Sequence, residues 1–197
     1  MVSGAAEGMV DETVLRRLIL EVALTPGPIY GGQGKAYLRK RIGGYNLAAW
    51  HSPWVVLTDL DQEFECAPEL RRAWLPSPAA LMCFRIAVRQ VESWLLADRE
   101  RIAAFLGVSS TKVPSDPDAE PSAKIALVSL ARSSRLRRIR EGIVPRPGSG
   151  RAVGDTYASE LMGFINGAWS PGAAAERSDS LRRCLTSLRE LSAKVQS

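Results

Sequence analysis

Four consecutive apolar residues, Trp54–Leu57, constrain the fold of this 197-residue chain more than any other segment. A half-exposed strand alternates apolar and polar residues, whereas a continuous apolar run of strand formers indicates a strand that is buried on both faces. Strands of that kind are typical of parallel sheets that carry helices on both sides. The chain is therefore expected to contain an interior parallel strand of an α/β sheet.

Strand and helix signals alternate on both sides of this segment. Val2–Ala6 and Leu81–Val88 are the neighbouring strand candidates, and apolar residues at helical spacing follow the first of them. This alternation predicts a Rossmann-like α/β core at residues 1–108, with a mainly parallel sheet flanked by helices. The later pattern predicts a proline-rich loop and then only helices. Residues 109–197 are therefore expected to form a basic helical C-terminal part that packs on the core.

Charge is divided unequally along the chain. The net charge is +5, but residues 1–121 sum to −2 and residues 122–197 to +7. The basic part contains five arginines within nine residues, here called the arginine cluster: Arg132, Arg135, Arg137, Arg138 and Arg140. Such a cluster can neutralise the phosphates of a nucleic acid backbone, although most charge runs are only solvated surfaces. Lys124 is either a further phosphate contact or a helix-end charge.

Several classes of protein find no support in the sequence. The longest apolar run, Ala79–Phe84, is too short to span a bilayer, and we expect no signal peptide. Three widely spaced cysteines form neither a disulfide framework nor a metal knuckle, so we expect a reducing, cytoplasmic location. His51 is the only histidine and no serine lies in a G-x-S-x-G motif, which leaves a serine hydrolase unsupported.

Two aspartates follow the buried strand, at Asp59 and Asp61. Residues i and i+2 of a strand point to the same side, so both carboxylates are expected at the carboxyl end of a parallel strand, where open α/β sheets bind ligands. Two carboxylates repel each other unless a cation or proton intervenes, and Mg²⁺ prefers oxygen ligands. The alternative is that Asp59 caps a turn and Asp61 is solvated.

Glu7 follows the first strand candidate in the same way. If the first and third strands are neighbours, Glu7 meets the two aspartates at one edge of the sheet. Three acids can hold one or two metal ions and leave a carboxylate for proton transfer. Alternatively, Glu7 only stabilises the N-terminus of the helix that follows it.

These motifs resemble a known family. Residues 7–12 read Glu-Gly-x-x-Asp-Glu, and residues 54–61 read as four apolar residues followed by Thr-Asp-x-Asp. With the glycine-rich turn and helix between them, they resemble a TOPRIM domain, the fold shared by topoisomerases, DnaG-type primases, recombination mediators and OLD-family nucleases. Residues 91–98 resemble a motif of uncharacterised bacterial TOPRIM-like proteins related to the OLD and abortive-infection types. The resemblance implies that Glu7 is the acid/base glutamate and that Asp59 and Asp61 bind metal.

Glu92 lies on an apolar helical stripe with Leu95 and Leu96. Burial of an acid is costly unless the acid is paired or bound to a metal. A structural salt bridge with Arg85 or Arg89 and a role as an auxiliary metal ligand both remain open.

The glycine-rich segment Gly31–Lys35 invites comparison with a phosphate-binding loop. It is not a P-loop, because Ala36 stands where that motif needs serine or threonine. Its backbone N–H groups could still approach a phosphate at a helix N-terminus, with Lys35 beside them, or the glycines could only form a tight turn.

The sequence therefore predicts a Mg²⁺- or Mn²⁺-dependent phosphoryl-transfer protein, a nuclease acting on DNA or RNA in phage defence or DNA repair. Its expected metal site consists of Glu7, Asp59, Asp61 and Glu92. The expected contacts with the nucleic acid backbone are Lys35, Lys124 and the arginine cluster. Two alternatives stay open: a non-catalytic TOPRIM-like module that partners an ATPase, and an enzyme that processes small nucleotides or phosphates. The sequence also leaves a homodimer open.

Overall fold

The protein was analysed as a computed structural model that describes residues 1–196. Four strands form one all-parallel sheet in the order β2-β1-β3-β4. The strands are β1 (Val2–Ala6), β2 (Pro26–Gly31), β3 (Trp54–Asp59) and β4 (Met82–Ala87). The helices of the described residues are α1 (Met9–Glu21), α2 (Lys35–Ala48), α3 (Ala67–Trp74), α4 (Val91–Ala97), α5 (Arg99–Leu106), α6 (Ala123–Arg132), α7 (Arg137–Ile143), α8 (Tyr157–Gly167), α9 (Pro171–Ala175) and α10 (Asp179–Gln196).

The prediction of an interior parallel strand is confirmed. All six residues of β3 are buried, and the strand pairs in parallel with β1 on one side and β4 on the other. Its side chains alternate between two hydrophobic clusters, with Val55 and Leu57 in one and Trp54 and Val56 in the other. The continuous apolar run therefore exists because both faces of this strand are covered.

Helices cover the two faces of the sheet unequally. The first cluster joins the sheet to α1 and to α4 through α10, whereas the second joins it to α2 and α3. Helix α8 packs on α1, helices α6 and α9 pack on α4, and α10 packs on β4. The C-terminal helices therefore complete one face of the sheet and share its hydrophobic core.

The chain reverses its direction of travel across the sheet between β1 and β3. It passes from β1 to β2 through α1 on one face, then returns through α2 on the other face to reach β3. The adjacent carboxyl ends of β1 and β3 therefore flank a topological switch point, the place where open α/β sheets bind ligands.

Two short helices were not predicted from the sequence. Helix α7 lies in the arginine-rich segment, and α9 has only five residues. In α7 only Ile139, Gly142 and Ile143 are buried, so the apolar period is too short to stand out against the arginines. No helix of residues 1–196 combines the length and the apolar character that a membrane crossing requires.

Candidate functional site

The acidic residues predicted from the sequence lie at the switch point. Glu7 directly follows β1, and Asp59 is the last residue of β3. The N-termini of three helices, α1, α4 and α6, also meet this edge. Their partial positive charges offset part of the negative charge that collects here.

Glu7 is held in place by the neighbouring strand. Its Oε1 atom accepts hydrogen bonds from the Thr58 hydroxyl and from the backbone N–H of Asp59, the latter at 2.9 Å. Two donors on one oxygen fix the orientation of the carboxylate. The second oxygen, Oε2, is thereby left for an ion or a proton.

Asp59 is buried, and its Oδ1 atom accepts a hydrogen bond of 2.9 Å from the backbone N–H of Val91 at the start of α4. The pKa of Asp59 is raised well above its ordinary value by burial and then by the charges of Asp11, Glu92 and Glu7. The carboxylate therefore lies in a pocket of excess negative charge.

Asp11 is a member of this group that the sequence reasoning missed. Burial and the charges of Glu92 and Glu7 raise the pKa of Asp11 from 3.8 to about 7. From the sequence, Asp11 was included only as the aspartate of the Glu-Gly-x-x-Asp-Glu motif and was given no role in the site. A signal was available, because side chains in the first turn point back toward the N-terminus of a helix, and that end meets the edge of the sheet.

Glu92 is 2% exposed and belongs to the same group. Its Oε1 atom accepts a hydrogen bond of 2.8 Å from the Tyr157 hydroxyl and lies 3.5 Å from Lys124 Nζ. Its Oε2 atom is buried and has no hydrogen-bond partner. A salt bridge with Arg85 or Arg89 is the wrong interpretation, because those side chains donate to Ser187 and to the Asp61 carbonyl.

Glu7, Asp11, Asp59 and Glu92 are here called the carboxylate centre. The negative charge of the centre also acts on the groups around it. Burial lowers the pKa of Lys124, but Glu92, Asp59 and Asp11 outweigh burial and raise it. Burial and the charge of Glu92 raise the pKa of Tyr157, which keeps its hydroxyl protonated as a donor.

Asp61 lies beside the carboxylate centre, and its charge also helps to raise the pKa of Asp59, but its carboxylate is held by other partners. The expectation that Asp59 and Asp61 point the same way along one strand is wrong, because β3 ends at Asp59 and Asp61 adopts a left-handed turn with φ of 52°. Its carboxylate lies 3.0 Å from Lys35 Nζ and accepts a hydrogen bond of 3.2 Å from Gln90. Lys35 therefore faces an acid in this structure, and Asp61 as a metal ligand stays a prediction.

The glycine-rich segment folds over the end of β1. The backbone N–H of Gly34 donates to the Glu7 carbonyl at 3.0 Å, and that of Gly32 donates to the Ala6 carbonyl at 3.4 Å. At Gly31, where φ is +136°, a β-carbon would lie 1.8 Å from the Ala6 carbonyl oxygen, so only glycine fits. These contacts favour the tight-turn interpretation.

The arginine cluster lies at the opposite end of α6 from Lys124. Eight residues separate Lys124 from Arg132, which corresponds to about 12 Å along a helix. Arg137 and Arg138 pair with Glu141 and Glu160, whereas Arg140 donates to the Ser134 carbonyl at 2.6 Å. Arg132 and Arg135 are exposed. The structure therefore brings Lys124 to the carboxylate centre but not the arginines.

Within residues 1–196, no group of three histidine, cysteine, aspartate or glutamate side chains is arranged to hold a metal ion. One oxygen each of Glu7, Asp59 and Glu92 accepts a hydrogen bond or ion pair, whereas Glu92 Oε2 has no partner. The free oxygens do not converge on one point as the side chains stand. A metal ion at this edge therefore requires side-chain rotations, and it remains a prediction.

Comparisons of the chain with protein-family models, with curated proteins and with solved structures found no match.

Proposed function

We propose that this protein is a TOPRIM-like, Mg²⁺- or Mn²⁺-dependent phosphodiesterase that cleaves DNA or RNA. The observation that carries the proposal is the carboxylate centre at the switch point, where buried Glu92 keeps one oxygen without a partner. Repulsion among buried acids lowers the stability of a fold, and perturbed acids of this kind cluster at functional sites.

The chemistry of these ligands fits a hard divalent cation. Carboxylate oxygens are the ligands that Mg²⁺ and Mn²⁺ prefer. Asp11, Asp59 and Glu92 would hold the ion, and Asp61 would join them when Lys35 turns away. The side chain of Lys124 is 40% exposed, so it can also leave Glu92. Rotation of the Lys35 and Lys124 side chains would then free Asp61 and Glu92 for the ion.

The residues around the ion have separate roles in this proposal. Mg²⁺ or Mn²⁺ supplies stabilisation of charge on the phosphate and an activated water. Glu7, anchored through Oε1, uses its second oxygen as general acid or base. Lys124 binds a phosphate oxygen when it leaves Glu92. The arginine cluster holds the nucleic acid backbone further along α6.

The test is cleavage of plasmid, single-stranded DNA and RNA by the purified protein in Mn²⁺, in Mg²⁺ and in a chelator. We expect cleavage only with metal and loss of cleavage in Asp59→Asn, which keeps the hydrogen-bonding shape of the side chain. Asp155→Asn is the matched control, because Asp155 is exposed and its carboxylate pairs with Arg146 and Arg151 rather than with any group of the centre. Cleavage that survives both Asp59→Ala and Asp61→Ala would overturn the proposal.

One observation favours a second candidate, a non-catalytic module that binds an ATPase partner. Lys35 and Lys124 already neutralise Asp61 and Glu92 without any metal. A Mn²⁺ titration followed by calorimetry separates the two candidates, since the module would take up no ion at millimolar concentration.

A further inference from the structure

A groove of about 990 Å³ runs along the free edge of β4, at the border of the sheet opposite β2. Residues of α3 form one wall and residues of α10 form the other. Phe84, Arg85 and Ile86 of β4 lie in its floor. None of the four acids of the carboxylate centre lines this β4 groove, so it is a separate surface.

In the floor of the β4 groove, the backbone groups that face away from β3 have no strand partner, although Phe84 and Ile86 are largely buried. The N–H of Met82 bonds to the Ala79 carbonyl at 3.0 Å and that of Val88 to the Ser180 hydroxyl at 3.4 Å, so both point away from β3. Backbone groups alternate along a strand, and Phe84 and Ile86 therefore also turn their N–H and C=O groups outward. Because β4 is the last strand of the sheet, these donors and acceptors form a template for another strand.

The groove is also basic. Five arginines line it against two carboxylates, with Arg71 and Arg72 on the α3 wall and Arg182 and Arg183 on the α10 wall. Arg85 lies between them; one of its guanidinium nitrogens donates to Ser187 at 3.0 Å, and its buried Nε has no partner. Asp179 pairs with both Arg182 and Arg183, which leaves the α10 wall one net positive charge. An occupant with negative charge on both sides would therefore still complement the walls.

We propose that the β4 groove binds an extended acidic segment of a partner protein as a fifth strand of the sheet. A peptide backbone supplies both donors and acceptors to Phe84 and Ile86, whereas nucleic acid phosphates supply only acceptors. Neighbouring residues of a strand project to opposite sides, so two consecutive acids would reach the arginines of both walls. β-Branched residues beside the acids favour the extended backbone that an added strand needs.

The probe is a fluorescein-labelled extended peptide of about eight residues, enough to pass along a strand at roughly 3.3 Å per residue. Its sequence is Ser-Val-Glu-Glu-Val-Ile-Thr-Ser, and fluorescence anisotropy with the full-length protein measures its binding. Two companion peptides carry Lys-Lys in place of Glu-Glu or N-methyl groups on alternate amides. A labelled oligo-dT strand tests the same groove for nucleic acid.

The variant pair Arg72→Glu with Arg183→Glu reverses one charge on each wall, and the milder Arg72→Ala with Arg183→Ala guards against misfolding. Arg189→Glu is the matched control, since Arg189 is an exposed arginine of α10 that does not line the groove. Circular dichroism checks the fold of every variant. We expect saturable binding of the acidic peptide that weakens about tenfold or more in the charge-reversed pair and is unchanged in Arg189→Glu.

The lysine and N-methylated peptides should not bind. The proposal is overturned if the acidic peptide does not bind, if N-methylation leaves its affinity unchanged, or if the charge-reversed pair binds it as well as the wild type does. Oligo-dT binding that the charge-reversed pair loses would assign the groove to nucleic acid instead. A concentration-dependent dimer in sedimentation, abolished by the same pair, would assign it to a second copy of the chain.

Discussion

Replacement of Asp11 by asparagine tests the carboxylate centre through stability alone. The pKa of Asp11 is raised from 3.8 to about 7 in the folded protein by burial, Glu92 and Glu7. The folded state therefore holds a proton that the unfolded state has already released at neutral pH. In the presence of a chelator, the stability that the raised pKa of Asp11 contributes is fully present below pH 3.8. It is lost as the pH rises through about 7.

The magnitude follows from the shift. A rise of about three pKa units corresponds to about 4 kcal/mol between the two protonation states, and relaxation of the site reduces the measurable part to about 2 kcal/mol. Asparagine carries no charge at any pH. Asp11→Asn should therefore be more stable than the wild type by about 2 kcal/mol at pH 8 and nearly equal to it at pH 4.

The assay is urea unfolding at pH 4, 6 and 8 in a chelator, followed by circular dichroism. At pH 8 the urea midpoint of Asp11→Asn should be higher than that of the wild type. The wild type should lose stability between pH 4 and pH 8, and the variant should lose less. Asp155→Asn serves as the control, because Asp155 forms exposed ion pairs that contribute about 1 kcal/mol or less. An Asp11→Asn variant that is less stable than the wild type at pH 8 would refute the reasoning.

Three further results are expected. Mn²⁺ at about 100 times its dissociation constant should raise wild-type stability by about 2.7 kcal/mol, and Asp59→Asn should lose most of that gain in a thermal melt. Tyr157→Phe removes the hydroxyl that donates to buried Glu92, so it should cost about 1–3 kcal/mol in urea unfolding, and an unchanged midpoint would contradict that role. Arg132→Glu with Arg135→Glu should weaken nucleic acid binding and lower its salt dependence by about one ion per arginine, while equal slopes would exclude the arginine cluster from the interface.

The sheet could be predicted because its signals are local. The apolar run at the third strand and the helical spacing of apolar residues after the first strand each depend on a few neighbouring residues. The structure has each of these features where the sequence placed it, with bounds that differ by a few residues. Helices α7 and α9 were not predicted, because such short segments do not contain a full period of apolar residues.

The candidate site was less predictable than the fold. Glu7 and Asp59 could be brought together only on the condition that the first and third strands are neighbours, and the structure shows that they are. Asp11 was missed, and Asp61 was placed on a strand that had already ended. The left-handed backbone conformation of Asp61 decides where its side chain lies, and no periodic pattern in the sequence predicts such a turn.

By itself, the sequence determined a parallel α/β sheet with acids at the carboxyl ends of its strands. Both features depend on adjacent residues: a continuous apolar run indicates a strand buried on both faces, and the acids directly follow it. Only the tertiary structure decided which charges meet. It paired Lys35 with Asp61, placed the Tyr157 hydroxyl on Glu92 across 65 residues, and opened a basic groove beside β4. These outcomes depend on packing between distant segments, which no local pattern of residues encodes.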